Sequence, residues 1–382
     1  FDELYEKYER KTSLKFKKTV SARKLMSLFV KERVETGRIY FMNIDHCNQK
    51  SAWDDDIKMT NLCVEVLHPT KPLQHVDDKD AEIGICILSA INVLEIQSDA
   101  EMEKVCDIIV RILEQLIEYQ DYFMPAAKNF TKNRRSLGIG ITNFASYLAK
   151  KGVKYDDPDA PNVADELMEK IQYYLLSSSC TLAEENGPCN KFDKTKYSKG
   201  WLPIDTYKKE LDEFVTRKPS MDWEALRQRI KQYGLRHSTV SAIMPCESSS
   251  VIQCSTNGIE PIRSYITYKK SKARTLPVIV PNYVSYKNKY TLAYDMEDNT
   301  GLIKIVGALQ KWVDMSISAN MYYNYAHYEK GALPDSKVIK EILLAYKLGW
   351  RTGYYNNTDD GDKQSIGDEE DKDNCESGAC AL

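Results

Sequence analysis

The sequence lacks an apolar run long enough to span a bilayer. Its longest nearly apolar stretch, Ile83 to Ile96, covers about 14 residues and is interrupted by Ser89, Asn92 and Glu95, whereas a transmembrane helix needs about 20. The chain also lacks a strong charge of either sign, because its formal net charge is −3 over 382 residues. We therefore expect neither a membrane nor nucleic acid as a partner.

Cysteine is not scarce, but it is not organised as a disulfide framework. The 10 cysteines are scattered along the chain, whereas small disulfide-stabilised domains carry theirs densely. No basic segment followed by an apolar one, the pattern of a secretory signal, opens the sequence. We therefore expect a reducing, cytoplasmic environment. Hydrophobic residues make up 42% and charged residues 29%, which is typical of a globular protein with a packed core.

The periodicity of the sequence predicts a mixed fold of the α/β or α+β class. Helical apolar spacing predicts helices in SARKLMSLFVKERVETGR and over residues 100–121, 162–186, 301–324 and 334–349. Strands are predicted in IYFMNIDHCN, EIGICILSAINVLEI, TLPVIVPNYV and YTLAYDM, and RRSLGIGITNFASYLAKKG is predicted to be a strand or a tight turn that enters a helix. In the helix of residues 100–121, the predicted apolar stripe is formed by Val105, Ile108, Ile109, Ile112, Leu116 and Ile117.

The composition changes after Tyr355. The segment NNTDDGDKQSIGDEEDKDN contains one apolar residue, Ile366, and many acids, so it cannot bury enough surface to offset its conformational entropy. We therefore predict a folded domain over residues 1–355 and a flexible acidic tail over residues 356–382.

Two thiols, Cys375 and Cys380, lie near the end of the predicted tail in the motif CESGAC. Such a pair can form a disulfide or supply half of a zinc site. No histidine or further cysteine lies nearby to complete four zinc ligands. We therefore favour a redox dithiol that shuttles on the mobile arm, and we predict no metal site in the chain.

A second group of reactive side chains lies in TNLCVEV, where Asn61, Cys63 and Glu65 alternate with apolar residues. In an extended strand, residues two apart point to the same side, so we expect the amide, the thiol and the carboxylate to share one face. An inert buried cysteine is the ordinary interpretation of a lone thiol. A neighbouring carboxylate raises a thiol pKa, which does not suit a thiolate nucleophile. The group suits hydrogen-atom chemistry at a neutral S–H, with a separate base for the proton.

A third candidate is the segment PCESSSV, in which Glu247, Ser248 and Ser249 precede an apolar stretch. A serine that caps a helix is the commoner outcome of such a pattern. A phosphate site at the helix N-terminus, built from N–H groups and hydroxyls, is the alternative.

Three other residues are ambiguous from the sequence pattern alone. Cys86 in GICILSA is interpreted as a core residue unless a neighbouring strand brings it near Cys63. Tyr354 and Tyr355, at the end of the predicted domain, are interpreted as ordinary packing residues.

Taken together, these segments resemble the large, catalytic subunits of class I ribonucleotide reductases. The motifs that carry the resemblance are NLCVEV, CILSAINV, MPCESSSV followed by TNGIEPIR, VDMSISAN, YKLGWRTGYYNNTDDG and CESGAC. They occur in the order found in that family and span nearly the whole chain. Each motif is weak alone, whereas the ordered set with the tail dithiol is specific.

The resemblance implies a role for each inner group in ribose chemistry. Cys63 would carry a thiyl radical and abstract the 3′ hydrogen. Glu65 would take the 3′-hydroxyl proton, and Asn61 would hold the sugar hydroxyls. Cys86 would be one of two cysteines that are oxidised as the 2′-hydroxyl leaves as water.

The resemblance also implies roles for the outer groups. The acid and the two serines of PCESSSV would lie at the substrate diphosphate, which favours the phosphate site over the simple cap. The tyrosine pair would relay the radical to Cys63 from a metal-containing small subunit. The tail dithiol would reduce the active-site disulfide and would itself be reduced by thioredoxin or glutaredoxin.

Family members place the radical cysteine at the tip of a finger loop inside a ten-stranded α/β barrel. The resemblance therefore implies that this chain forms the C-terminal half of such a barrel, with Cys63 on the central loop. The first half of the barrel, the cysteine that pairs with Cys86 and most of the region for ATP and deoxynucleotide effectors have no counterpart here. We expect another polypeptide to supply them, or the chain to be a truncated product that is inactive alone. The substrate would be a ribonucleoside diphosphate, and no cofactor would be bound by this chain itself.

Two other functions are weaker alternatives. A non-catalytic nucleotide-binding or assembly subunit would be expected to lose Cys63, Glu65 or the tail dithiol, and all are present. A thiol–disulfide carrier that uses only the tail dithiol leaves the TNLCVEV group and the tyrosines unexplained. Cys246 and Cys254, inside the phosphate segment, have no assigned role, and we interpret them as packing residues.

Overall fold

The structure is a computed structural model and describes residues 2–270 and 275–361. Its helices are α1 Asp2–Arg10, α2 Ala22–Thr36, α3 Ile44–Lys50, α4 Asp99–Tyr119, α5 Pro125–Arg134, α6 Phe144–Lys151, α7 Ala160–Asn186, α8 Trp223–Tyr233, α9 Glu247–Ile252, α10 Tyr283–Tyr286, α11 Thr300–Gln310 and α12 Asp335–Lys347. Its strands are β1 Phe41–Met42, β2 Leu88–Asn92, β3 Gly138–Thr142, β4 Ile266–Lys270, β5 Thr275–Ile279, β6 Met321–Asn324, β7 Thr352–Gly353 and β8 Asn356–Asp359. No helix among the described residues is long and apolar enough to cross a membrane.

An arc of parallel segments forms the centre of the fold. β2 and β3 pair in parallel, with Leu88 opposite Gly138. Ile139 in β3 pairs in parallel with Ser241, and Ile243 pairs in parallel with residue 317. Helices connect each segment to the next, which is the βαβ arrangement of α/β proteins. The predicted α/β class is therefore confirmed, although the described residues do not form a closed barrel.

β3 is enclosed because glycine lets its neighbours approach closely. Every residue of Gly138–Thr142 is buried. A Cβ atom added at Gly140 would lie 2.7 Å from the carbonyl oxygen of Ala242, so a side chain there would push the next segment of the arc away. Apolar faces of α4, α7 and α11 pack into the same core.

α4 is rotated relative to the predicted orientation, so that only part of the predicted stripe faces the core. Its buried side chains include Met102, Cys106, Val110, Leu113 and Ile117. Ile108, Ile112 and Leu116 are instead 45%, 60% and 42% exposed. The prediction holds for Ile117, which is buried, and for Val105 and Ile109, which pack against the core. It was wrong for the other three residues because this helix carries apolar residues on more than one face, so hydrophobic spacing alone does not determine its rotation.

Three predicted element boundaries also differ from the structure. The predicted helix over residues 301–324 ends at Gln310, and β6 occupies its last part. The predicted strand YTLAYDM contains a 3₁₀ turn, Ala293–Asp295.

The third difference concerns the predicted end of the folded domain at Tyr355. β8 pairs in parallel with β6, so strand structure extends beyond Tyr355 through Asp359, whereas the division into a folded domain and a flexible tail stays a prediction. The polar sequence of β8 hid this strand, because its contribution is backbone hydrogen bonding rather than apolar burial.

Candidate active site

The segment TNLCVEV forms a closed turn and not the strand that its alternation predicts. An antiparallel bridge between Thr60 and Leu67 closes it. Val64 has a φ of 62°, which a β-branched residue adopts only where its surroundings hold it. The predicted common strand face is therefore wrong, because the chain reverses within the segment. The turn nevertheless joins two of the predicted side chains, since Asn61 Nδ2 donates to Glu65 Oε1 at 2.8 Å.

Glu65 is a buried acid with a hydrogen-bond donor at each carboxyl oxygen. Asn61 occupies Oε1, and Ser318 Oγ donates to Oε2 at 3.0 Å. The backbone N–H of Ser316 donates to the Glu65 carbonyl oxygen at 2.9 Å and fixes the turn to the parallel arc. Burial raises the pKa of the Glu65 carboxyl above its usual value, although the donors act in the opposite direction. A fixed carboxyl with a raised pKa is suited to accept and return a proton.

Cys63 faces Tyr354 across the site. Tyr354 Oη lies 3.5 Å from Cys63 Sγ. Thr352 Oγ1 donates to the carbonyl oxygen of Val64 at 3.0 Å and ties the turn to the same C-terminal segment. Burial, followed by the hydrogen bond with Cys63, raises the pKa of Tyr354 far above its usual value. The phenol therefore keeps its proton and can exchange a whole hydrogen atom with the sulfur.

Tyr40 completes a cluster of three aromatic rings with the tyrosine pair. Its ring centroid lies 4.7 Å from that of Tyr354 and 5.3 Å from that of Tyr355, and the centroids of the pair are 4.1 Å apart. The antiparallel pairing of β1 with β7 places Phe41 opposite Gly353, so the next position brings Tyr40 to Tyr354. Burial raises the pKa of Tyr40, as does its hydrogen bond with Tyr355. Sequence reasoning missed Tyr40, whose only signal was its place in a predicted strand.

Arg33 on α2 holds the backbone of the tyrosine pair and was also missed. Its guanidinium donates to the carbonyl oxygen of Tyr354 at 2.8 Å and to that of Tyr355 at 3.4 Å, and it bonds to the Ile39 carbonyl. The side chain is fully buried, and desolvation lowers the pKa of Arg33 to about 10, so it stays charged at neutral pH. In the sequence it is one of several charged residues on an amphipathic helix, which gave no signal of this role.

Cys86 lies just before β2, close enough to the TNLCVEV turn for the charges there to affect its pKa. Its side chain is accessible to solvent. Partial desolvation raises the pKa of the Cys86 thiol to about 11, and the charges of Glu65 and Cys63 add to this effect. The structure thus brings Cys86 toward Cys63 and does not place it in the core.

The predicted phosphate residues form the first turn of α9. Glu247, Ser248 and Ser249 are all exposed there. The serine cap is not observed, because the residue that precedes the helix is Cys246 and Ser249 Oγ donates to the Cys246 carbonyl oxygen at 3.0 Å. Glu247 Oε1 accepts a hydrogen bond from Asn257 Nδ2 at 2.9 Å. The two serines therefore lie at a helix start where solvent or a ligand can reach them.

The two unexplained thiols differ in environment. Cys246 is buried, its sulfur lies 3.8 Å from the carbonyl oxygen of Ile141, and burial raises its pKa to about 11. The packing interpretation therefore holds for Cys246. Cys254 is exposed and has a φ of 51°, so packing does not account for it.

The predicted tail dithiol, Cys375 and Cys380, lies outside the described residues, and its redox role stays a prediction. Across residues 2–270 and 275–361, no group of three or more His, Cys, Asp or Glu side chains could hold a metal ion.

Comparison with known proteins gives consistent matches over the whole chain. The family model described as "Ribonucleotide reductase, barrel domain" matches residues 1–286 and 283–356. The chain is similar to ribonucleoside-diphosphate reductase subunit alpha of Haemophilus influenzae, at 46% identity over 385 residues, which cover 100% of this chain and 50% of the relative. It is also similar to ribonucleoside-diphosphate reductase 1 subunit alpha of Escherichia coli, at 47% over 388 residues, with 100% and 51% covered. The subunit alpha of Enterobacteria phage T4 is 39% identical over 368 residues, with 94% and 48% covered. The chain therefore spans about half the length of these curated relatives.

Proposed function

The chain belongs to the ribonucleotide reductase barrel-domain family, and we propose that it is the C-terminal, catalytic part of a class I large subunit. In that role it reduces ribonucleoside diphosphates to 2′-deoxyribonucleoside diphosphates. The observation that supports this most directly is the position of Tyr354, whose hydroxyl oxygen lies 3.5 Å from the sulfur of Cys63 on the closed turn. A thiol, a buried base and a phenol that can deliver a radical thus meet at one place.

The proposed reaction begins with hydrogen-atom transfer at Cys63. A phenoxyl radical at Tyr354 takes the hydrogen atom of the thiol and leaves a thiyl radical. The thiyl radical abstracts the 3′ hydrogen of the ribose, so an S–H bond forms and a carbon radical remains at C3′. Glu65 accepts the proton of the 3′-hydroxyl, to which its raised pKa is suited. Asn61, oriented by Glu65, holds the sugar hydroxyls.

Two thiols, one of them Cys86, supply the electrons of the reduction. The 2′-hydroxyl leaves as water with one thiol hydrogen, and C2′ gains the other as the pair becomes a disulfide. As it becomes a disulfide, the thiol pair passes one electron to the 3′-keto group, and Glu65 returns its proton to the 3′ oxygen. Cys63 then returns its hydrogen atom to C3′ and becomes a thiyl radical again. The raised pKa of Cys86 supports this role, because the thiol is protonated before the step. The second thiol belongs to a part of the large subunit outside this chain.

The residues at the start of α9 bind the substrate diphosphate, and the tail dithiol returns the active-site cysteines to the reduced state. Ser248 and Ser249, together with the N–H groups of the first turn of α9, bind the diphosphate. Glu247 shapes that turn through its hydrogen bond with Asn257. Cys375 and Cys380 reduce the active-site disulfide by exchange and are then reduced by thioredoxin or glutaredoxin.

Other polypeptides, or further segments of a longer chain, supply the rest of the enzyme. A radical-generating small subunit that contains a metal delivers the radical to Tyr355 and Tyr354. An N-terminal part of the large subunit carries most of the effector-binding region and the first half of a ten-stranded barrel. The open arc of parallel segments supports this, because a buried sheet edge needs a pairing strand or a cover.

The decisive experiment measures 2′-deoxynucleotide formation from a ribonucleoside diphosphate, with small subunit, effector and dithiothreitol present. We expect turnover when the chain is combined with the N-terminal part of the large subunit and none with the chain alone. Cys63→Ser should abolish turnover, whereas Cys375→Ser should retain it, because dithiothreitol replaces the tail dithiol. Turnover that depends on Cys375 and not on Cys63 would instead favour a thiol–disulfide carrier. No turnover with an intact small-subunit radical would favour a non-catalytic subunit.

A further inference from the structure

Glu260 connects the first turn of α9, which we call the phosphate turn, with the tyrosine pair of Tyr354 and Tyr355. Its Oε1 accepts a hydrogen bond from Asn320 Nδ2 at 2.6 Å, and its Oε2 accepts one from Tyr322 Oη at 2.8 Å. Hydrogen bonds to a carboxylate are short and strong compared with neutral ones. Glu260 follows α9 in the chain, whereas both donors belong to β6 and the residue before it. The carboxylate therefore bridges two separate parts of the fold.

Asn320 connects Glu260 to the tyrosine pair through a second hydrogen bond. Its Oδ1 accepts the backbone N–H of Tyr355 at 3.0 Å. A side-chain amide has donors on one end and an acceptor on the other, so a carboxylate at Nδ2 requires that the oxygen faces away from it. Glu260 therefore determines which end of Asn320 faces Tyr355.

Asn257 ties Glu260 to the start of α9. Asn257 Nδ2 donates to Glu247 Oε1 at 2.9 Å, and its Oδ1 accepts the backbone N–H of Cys246 at 2.6 Å. The Asn257 carbonyl oxygen accepts the backbone N–H of Glu260 at 3.2 Å. A ligand that shifts the first turn of α9 therefore shifts Asn257 and, with it, the backbone of Glu260.

We propose that Glu260 is a positioning residue that couples occupation of the phosphate turn to the placement of Tyr355 in the radical path. The inference rests on the proposed function of that site. With a diphosphate on the turn, Glu260 and Asn320 hold the backbone of Tyr355 so that Tyr354 stays against Cys63. Without one, this restraint is weaker, and the radical is not delivered to an empty site.

The charge state of Glu260 gives the coupling a pH dependence. Burial raises the pKa of the Glu260 carboxyl to about 7. The titratable and charged groups that face it are Arg263, Glu247, Tyr322, Tyr155 and Cys246. The ionised form accepts from both of its donors, whereas the protonated form carries an O–H that faces one of them. The coupling is therefore present above about pH 7 and is lost as the pH falls below it.

Glu341 offers a matched control for Glu260. Its Oε2 accepts Asn299 Nδ2 at 2.8 Å and Tyr323 Oη at 2.7 Å, so it has the same two kinds of donor. The Oδ1 of Asn299, however, accepts the backbone N–H of Tyr322 and not that of Tyr355. Glu260→Gln and Glu341→Gln thus make the same chemical change in similar networks. Both networks include Tyr322, but only that of Glu260 includes a hydrogen bond to the tyrosine pair.

The test is hydrogen exchange at the Tyr355 amide in the complete large subunit, with and without a ribonucleoside diphosphate. We expect the diphosphate to slow this exchange in the wild type. Glu260→Gln should speed the exchange at least about tenfold and abolish the diphosphate effect, while Glu341→Gln should change neither. After correction for the intrinsic pH dependence of amide exchange, the wild type below about pH 6 should behave like Glu260→Gln.

Three outcomes would overturn the coupling: no diphosphate effect in the wild type, a full effect in Glu260→Gln, or equal losses in both variants. Exchange does not depend on turnover, so a failure to form deoxynucleotide would overturn the proposed function without deciding this question. In an active assembly, Glu260→Gln should lower kcat while KM stays within about twofold, because positioning of the radical path and not substrate affinity is lost.

Discussion

The ring of Tyr40 lies 4.7 Å from the ring of Tyr354, although the two residues belong to segments at opposite ends of the described chain. The antiparallel register of β1 and β7 produces this contact. Tyr354 is therefore enclosed by aromatic rings on one side and by the sulfur of Cys63 on the other. The environment of the phenol thus depends on residues that precede the catalytic turn as well as on its own segment.

Removing the Tyr40 hydroxyl should slow the reaction without unfolding the protein. Tyr40→Phe keeps the ring contacts but loses the hydrogen bonds with the tyrosine pair, so we expect kcat for deoxynucleotide formation to fall about tenfold. Tyr346→Phe is the control, because its hydroxyl bonds to Asp45 at the surface, at 2.6 Å, away from the cluster. Equal activity of both variants would show that the Tyr40 hydroxyl has no part in radical transfer.

Removing the Tyr354 hydroxyl should have a much larger effect. Tyr354→Phe keeps the ring but removes the hydroxyl oxygen that lies 3.5 Å from the Cys63 sulfur, so we expect turnover to fall by about 10³-fold or more. The free energy of unfolding should change by only about 1 kcal/mol, the usual contribution of one hydrogen bond. Turnover assays and urea unfolding measure the two quantities, and near-normal turnover would exclude Tyr354 from the radical path.

A side chain at position 353 should separate β1 from β7. A Cβ atom there would overlap the ring of Phe41, so Gly353→Ala should cost about 1–3 kcal/mol of stability and displace Tyr40. Phe41→Leu makes room for the added methyl group. The double variant should therefore be more stable than the sum of the single effects predicts, which a double-mutant cycle measures. Strict additivity would mean that this close approach is not what positions β1.

Ionisation of Glu65 should lower the free energy of unfolding, although the ionised form is the one that we expect to act as the base. Its pKa is raised in the folded protein above the usual 4.5, so the folded state binds the proton more tightly than the unfolded state does. Stability from this group is therefore present at low pH and is lost as the pH rises through the folded pKa. Glu65→Gln should accordingly gain stability relative to the wild type as the pH rises above the usual pKa of 4.5, measured by thermal unfolding.

The same substitution should lower turnover by about 10²-fold or more, because the base is gone. Glu95→Gln, at an exposed glutamate, is the matched control for both measurements. If the stability of Glu65→Gln relative to the wild type does not rise with pH, the pKa of Glu65 is not raised in the folded protein.

Local signals made much of the helical structure predictable. The helix in SARKLMSLFVKERVETGR begins after Ser21, whose hydroxyl caps it, and ends at Gly37, whose φ of 70° suits glycine. α7 ends in the same way before Gly187. Such signals lie within a few residues of the boundary that they define, so they can be read without knowing the rest of the fold.

The geometry of the site was less predictable because it depends on distant contacts. Alternation in TNLCVEV fits a strand, and nothing in the segment indicates that Val64 adopts a positive φ. Ser318 and Thr352 impose the turn from far along the chain. The thiols, the acid and the tyrosine pair of the site could be identified from their chemistry and from the family resemblance. Tyr40, Arg33 and Glu260 could be recognised only from their contacts in the folded structure.

The hydrogen bonds that hold the TNLCVEV turn also determine the stage of protein synthesis at which the turn can form. Ser318 bonds to Glu65 across 253 residues, and Thr352 bonds to Val64 across 288. A ribosome therefore completes Cys63 long before it adds either anchor, and closing such long loops is slow. The sulfur can lie against the phenol only when synthesis of this region is nearly finished, so an unfinished nascent chain would lack the site at which we propose that a radical is received.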